Sequence, residues 1–71
     1  MERIKVDSSS ISEIGYDISE QILEIKFPRG AIYRYTNVPA EISLKLIFAD
    51  SIRKFFNTCI AKNYQYEKVE G

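Results

Sequence analysis

The chain has 71 residues, with ten Lys+Arg against ten Asp+Glu, no histidine and one cysteine. That length holds one small domain, residues 1–71, which buries roughly 60% of its unfolded surface. No apolar run approaches the ~20 residues of a membrane span, a single thiol excludes an internal disulfide, and the lack of histidine removes His-based catalysis and ordinary zinc sites.

The chain reads as folded. Its hydrophobic fraction is 45% with zero net charge, the opposite of a disordered composition. The start, Met1-Glu2-Arg3-Ile4-Lys5, lacks the apolar centre of a signal peptide, so a cytoplasmic domain is expected.

In chain order, Ile4-Lys5-Val6 reads as a short edge strand or an ordered arm. From Ile11 to Ile18 the pattern alternates, with Ile14, Tyr16 and Ile18 on one face and Glu13, Gly15 and Asp17 on the other. That is the period of a half-buried strand. Gln21 to Phe27 repeats it, with Leu23, Ile25 and Phe27 sharing a face. Pro28-Arg29-Gly30 supplies turn chemistry, Gly30 taking the left-handed position. Ala31 to Thr36 is a third strand, rich in aromatic and β-branched residues.

A three-residue loop at 28–30 sets the register. It places Ile25 opposite Tyr33, Leu23 opposite Tyr35, and Glu24 opposite Arg34, a favourable cross-strand pair. A two-residue loop would put Arg34 beside Ile25 and mix the faces. Tyr33 and Tyr35 therefore fall on the apolar face, as core or semi-core rings, or as a stacking platform where the helices leave that face open.

Pro39 suits the first position of a helix. From Pro39 to Ala49, Ile42, Leu44, Leu46, Ile47 and Phe48 form a wide apolar stripe. Asp50-Ser51 offers a cap for a second helix. There Ile52, Phe55, Phe56, Cys59 and Ile60 recur at i, i+3, i+4, i+7 and i+8. Tyr64 to Val69 is a final short strand or a packed tail. Strands first and helices after is the α+β order. The expected fold is a small three-stranded antiparallel meander packed against two C-terminal helices, with room for a short extra strand at either terminus.

Little of this carries reaction chemistry. Cys59 lies on the apolar stripe with no base to activate it, and reads as a small buried hydrophobe. Glu13, Asp17 and Glu20 read as a solvated face. The chain has neither a phosphate-binding glycine loop nor a calcium-loop spacing. A non-enzymatic protein without cofactor or metal is expected.

The neutral charge is a cancellation. Residues 1–25 hold six acids and two bases, residues 26–62 seven bases and two acids, and residues 63–71 two acids and one base. The basic middle contains Lys26, Arg29, Arg34, Arg53 and Lys54. With Tyr33 and Tyr35 these compose a candidate nucleic-acid surface, bases on phosphates and rings on nucleobases. An ordinary mixed surface is the alternative.

Several motifs together resemble the KTSC domain. They are Val6-Asp7-Ser8-Ser9, Ile14-Gly15-Tyr16-Asp17, Leu23-Glu24-Ile25-Lys26-Phe27, Gly30, Tyr33-Arg34-Tyr35, Val38-Pro39, Ala49-Asp50-Ser51, Phe55-Phe56-Asn57 and Tyr64. Ile52 stands where that family often has a glycine. The family occurs at the C-terminus of some lysyl-tRNA synthetases and as stand-alone short bacterial proteins. The resemblance implies RNA, tRNA or single-stranded, as the partner; the surface expected to hold it is the one composed above, Tyr33, Arg34 and Tyr35 with Lys26, Arg29, Arg53 and Lys54. A protein–protein adaptor or small homodimer is the other expectation, with no role for a membrane.

Overall fold

The computed structural model describes residues 3–6 and 8–69; Asp7 of the first motif lies outside them, as do Met1, Glu2, Glu70 and Gly71. Antiparallel pairing runs in chain order through β1 (Arg3–Lys5), β2 (Glu13–Asp17), β3 (Ile22–Lys26), β4 (Ile32–Tyr35) and β5 (Tyr66–Val69). The sheet thus has five strands rather than three. The expected meander is its middle, and both stretches left open as arm or tail join as edges. At the termini, short runs without a turn signal joining them to a neighbouring strand leave arm, tail and strand open, whereas the four residues of β4 are declared by the Pro-Arg-Gly turn before them. Side chains anchor each one: Arg3 reaches Glu13 and Glu24, and Tyr66 stacks on Tyr33.

The central register is the one the three-residue loop requires, with Leu23↔Tyr35, Glu24↔Arg34 and Ile25↔Tyr33. The Phe27 N–H donates to the Ala31 carbonyl at 2.9 Å, and Gly30 turns the chain at φ 97°. A side chain there would be strained by the backbone alone, since nothing lies near its Cβ position. The β2–β3 loop is closed by Asp17. Its Oδ1 accepts from the Ser19 N–H at 3.0 Å, the Ser19 hydroxyl at 2.7 Å and the Glu20 N–H at 3.2 Å. These bonds end the strand at Asp17, so Ile18 does not continue the Ile14–Tyr16 face and is 75% exposed.

Pro39 is the extended residue before the helix, not its first residue, and α1 spans Ala40–Ile47. The apolar stripe of α1 is narrower than its composition suggests. Leu46 is fully buried, but Leu44 and Phe48 lie on the outer side and are exposed. In α2 (Ile52–Phe55) the Ser51 hydroxyl accepts from the Lys54 N–H at 3.2 Å, the capping bond that Asp50-Ser51 promised. The helix then widens into a π-helical turn over Phe56–Ile60, where the Ala61 N–H donates to the Phe56 carbonyl at 2.9 Å. The Thr58 hydroxyl donates back to the Lys54 carbonyl at 2.7 Å, giving that carbonyl a partner within the widened stretch.

Both helices cover one face of the sheet. Ile14, Leu23, Ile25 and Tyr35 from the strands meet Leu46, Phe56 and Ile60 from the helices, with Ile11 and Val38 closing the ends. Phe56 stands edge-on to Phe27 and to Tyr35. The Tyr16 hydroxyl donates to the Val38 carbonyl, tying β2 to the segment entering α1. Among the described residues, no helix is long and apolar enough to cross a membrane.

Candidate nucleic-acid interface

Alternation decides where each charge goes. On the sheet face away from the helices, one cross-strand row reads Arg3, Gly15, Glu24, Arg34, Glu67. Gly15 has no side chain, so Arg3 passes over it and its Nη1 donates to Glu24. Arg34 Nε donates to the other carboxylate oxygen of Glu24 at 2.9 Å. Arg3 Nε also bonds Glu13 at 2.9 Å, and Lys26 Nζ lies 4.0 Å from Glu13. Glu24 is 3% exposed beneath its two arginines. Burial pushes its carboxyl up, but the bonds from Arg34 and Arg3 outweigh this and hold it below the ordinary value. The bond from Arg3 likewise holds Glu13 low.

The seven residues singled out from sequence therefore do not form one patch. Lys26 and Arg34 lie on the outer face, already engaged with acids. Tyr33 and Tyr35 lie on the inner face, because adjacent residues of a strand point opposite ways. Tyr35 is 2% exposed and is a core ring, not a platform. Burial, with Tyr66 and Tyr33 nearby, pushes its phenol up to about 12. Arg29 is exposed at the tip of the β3–β4 hairpin. Arg53 and Lys54 alone come together, in the helical layer.

Around these two the surface is concave. Ser51, Arg53, Lys54, Asn57 and Thr58 line an open groove of about 280 Å³. Ala49, Asp50, Ser51, Lys54, Phe55 and Thr58 line an adjoining one of about 440 Å³. A third, of about 300 Å³, joins Ser8 and Ser9 to the run Ala49–Arg53. Motifs forty residues apart in sequence, Ser8-Ser9 and Ala49-Asp50-Ser51, thus share one wall. Ile52, in the place of the family's frequent glycine, is part of that wall. Among the described residues neither Arg53 nor Lys54 has an ion-pair partner, unlike Arg3, Lys26, Arg34 and Lys45. No acid occurs between Ser51 and Tyr66.

Asn57 interleaves with the basic middle in sequence and falls in this groove. Ser51 and Thr58 were not legible as site residues, since hydroxyls on a helix are ordinary surface until their neighbours are known. Tyr66 was also missed, although β5 alternates Tyr66 and Lys68 on one face with Glu67 and Val69 on the other.

Comparison with known proteins agrees with the motif resemblance. The family model of the KTSC domain matches residues 7–69. An uncharacterised protein of Stutzerimonas stutzeri is 41% identical over 71 residues, covering 99% of this chain and all of that protein. A lysine–tRNA ligase of Trichormus variabilis is 30% identical over 66 residues, which is 93% of this chain but only 12% of the ligase. The crystal structure of a KTSC domain protein from Yersinia pestis superposes with a TM-score of 0.92 at 34% identity, covering 97% of each chain. The outer-face ion pairs, the helical groove and the meander are thus features of a chain that belongs to the KTSC domain family.

Proposed function

We propose that this chain is a small non-enzymatic, cytoplasmic binding module that holds RNA by its phosphates, through the helical groove at Arg53 and Lys54 rather than through the outer sheet face. The observation that carries this reading is a pair of exposed cations, without an ion-pair partner among the described residues, beside Ser51, Asn57 and Thr58; the sequence from Ser51 to Tyr66 holds no acid, and Asp50 is the acid on the adjoining wall. Phosphate recognition needs cations whose charge is not already spent on carboxylates, with hydroxyl and amide donors beside them. The related segment at 30% identity in a lysine–tRNA ligase supports RNA as the polyanion.

The test is binding of tRNA and of a single-stranded RNA across a salt series. Affinity is expected to fall log-linearly with salt. The double variant Arg53→Glu/Lys54→Glu should bind at least roughly tenfold more weakly and lower the salt slope by about 2. Its melting temperature should be little changed, since both side chains are exposed. Arg34→Glu is a poor probe, because it would place a carboxylate against Glu24. Absence of salt-sensitive RNA binding at low ionic strength sinks the proposal.

A second reading, a protein–protein adaptor or small homodimer, is supported by Leu44 and Phe48. They are 55% and 80% exposed, one turn apart at the C-terminal end of α1, where Phe48 is the residue after the helix. It predicts a sedimentation mass that rises with concentration and returns to the monomer value in Phe48→Ser. A strict monomer at all concentrations removes the homodimer.

A further inference from the structure

We infer that Tyr66, backed by Tyr33, is a stacking site for an unpaired nucleobase, with Lys68 beside it for the adjoining phosphate. This deepens the RNA reading and rests on it, but uses a different part of the molecule.

Tyr66 lies on β5, the last strand, on the inner face of the sheet. The helical layer reaches Phe56 above Tyr35. Tyr66 lies one strand beyond Tyr35 and keeps 53% of its surface in solvent. Its ring is 4.7 Å from that of Tyr33 with only 8° between the planes. Tyr35 meets it at 5.3 Å and a 38° tilt. With Tyr33 and Tyr35 both against it, the ring still belongs to a residue that is half exposed, so Tyr66 keeps surface in solvent for another group.

The ring is also held in place. Tyr33 is itself fixed edge-on by Phe27, at 5.2 Å and 72°. Tyr66 therefore presents an aromatic surface partly pre-positioned by its contacts with Tyr33 and Tyr35, which favours binding of another flat group. Lys68 follows at the next inner-face position, opposite Tyr33 in register, and is exposed with no ion pair among the described residues. A ring and a cation at this spacing suit a base and its phosphate. A duplex, whose bases are stacked on each other, has no such base to offer.

The experiment compares oligoadenylate with an RNA duplex of equal length on the full chain, for wild type, Tyr66→Leu, Tyr66→Phe and Arg53→Glu/Lys54→Glu. Tyr66→Leu keeps apolar cover over Tyr33 and Tyr35 while removing the π surface. It should weaken oligoadenylate binding roughly tenfold and leave duplex binding unchanged. Tyr66→Phe should match wild type, and Arg53→Glu/Lys54→Glu should weaken both ligands. If Tyr66→Leu binds oligoadenylate like wild type while the double variant does not, stacking is wrong and the groove reading stands. If neither RNA binds the wild type, both fall. Should Tyr66→Leu not fold, tyrosine fluorescence of the wild type decides: quenching by oligoadenylate and not by duplex supports the site, and no quenching overturns it.

Discussion

Glu24→Ala is expected to lower stability by roughly 2–3 kcal/mol, from a total of about 4–10 kcal/mol for a chain of this size. Two terms compete at Glu24. Moving a carboxylate out of water is costly, and in a fully dry site the cost can exceed what a pair returns. Here the expense falls mainly on Glu24. The Glu24 side chain is 4% exposed, but Arg3 and Arg34 keep 27% and 44% of theirs in solvent and remain hydrated on their outer sides. The carboxyl is consequently held below its ordinary value, so pairing outweighs burial. Removing it leaves two guanidinium groups facing each other over the middle of the sheet, and β1 loses one of its two anchors. Urea unfolding measures the loss. A cost below about 0.5 kcal/mol would mean the arginines hold β1 through Glu13 and packing alone.

The same carboxylates set the acid behaviour. Glu24 and Glu13 have folded pKa values below their ordinary 4.5. Their contribution is fully present above about 4.5. It is lost as the pH falls from there through the lower folded values, because the unfolded chain takes up protons first. Glu24→Ala should therefore flatten the fall in melting temperature below that pH as well as lowering the neutral value.

Which parts of this were legible in the sequence follows from the range of the contacts. Glu24 facing Arg34 was readable, because two alternating runs and a Pro-Arg-Gly loop leave one register that keeps the apolar faces together. Arg3 reaching Glu24 was not. The contact spans 21 residues and depends on Gly15 being empty, which no local period reports. The second helix was readable from its spacing, down to the Ser51 cap, but the π turn inside it was not, since one widened turn barely shifts the apolar stripe. The alternation that put Tyr33 and Tyr35 on the inner face also put Arg34 on the opposite face. A single Tyr-Arg-Tyr surface was therefore excluded by the strand period itself. The groove needed the tertiary fold, because Ser8-Ser9 and Ala49–Arg53 meet only when the helical layer closes on the loop after β1.

Phe56→Ala is expected to be the most damaging single truncation, at about 4 kcal/mol. Phe56 is 7% exposed and is the helical ring that reaches the β3–β4 side of the core. It stands edge-on to Phe27 at 5.9 Å and 73°, and to Tyr35 at 5.6 Å and 86°. Truncation removes two aromatic contacts and leaves a cavity between layers that cannot bury their apolar faces separately. For a domain this small, the loss corresponds to a melting temperature lower by roughly 20 °C. Phe56→Leu keeps most of the volume and should cost about 1.5 kcal/mol, so it remains measurable if the alanine variant does not fold. Phe55→Ala is the control on the same helix. Phe55 is only partly buried and should cost less than half as much as Phe56. Equal losses at the two positions would mean that general burial along the helix, and not the edge-on aromatic contact, holds the layers together.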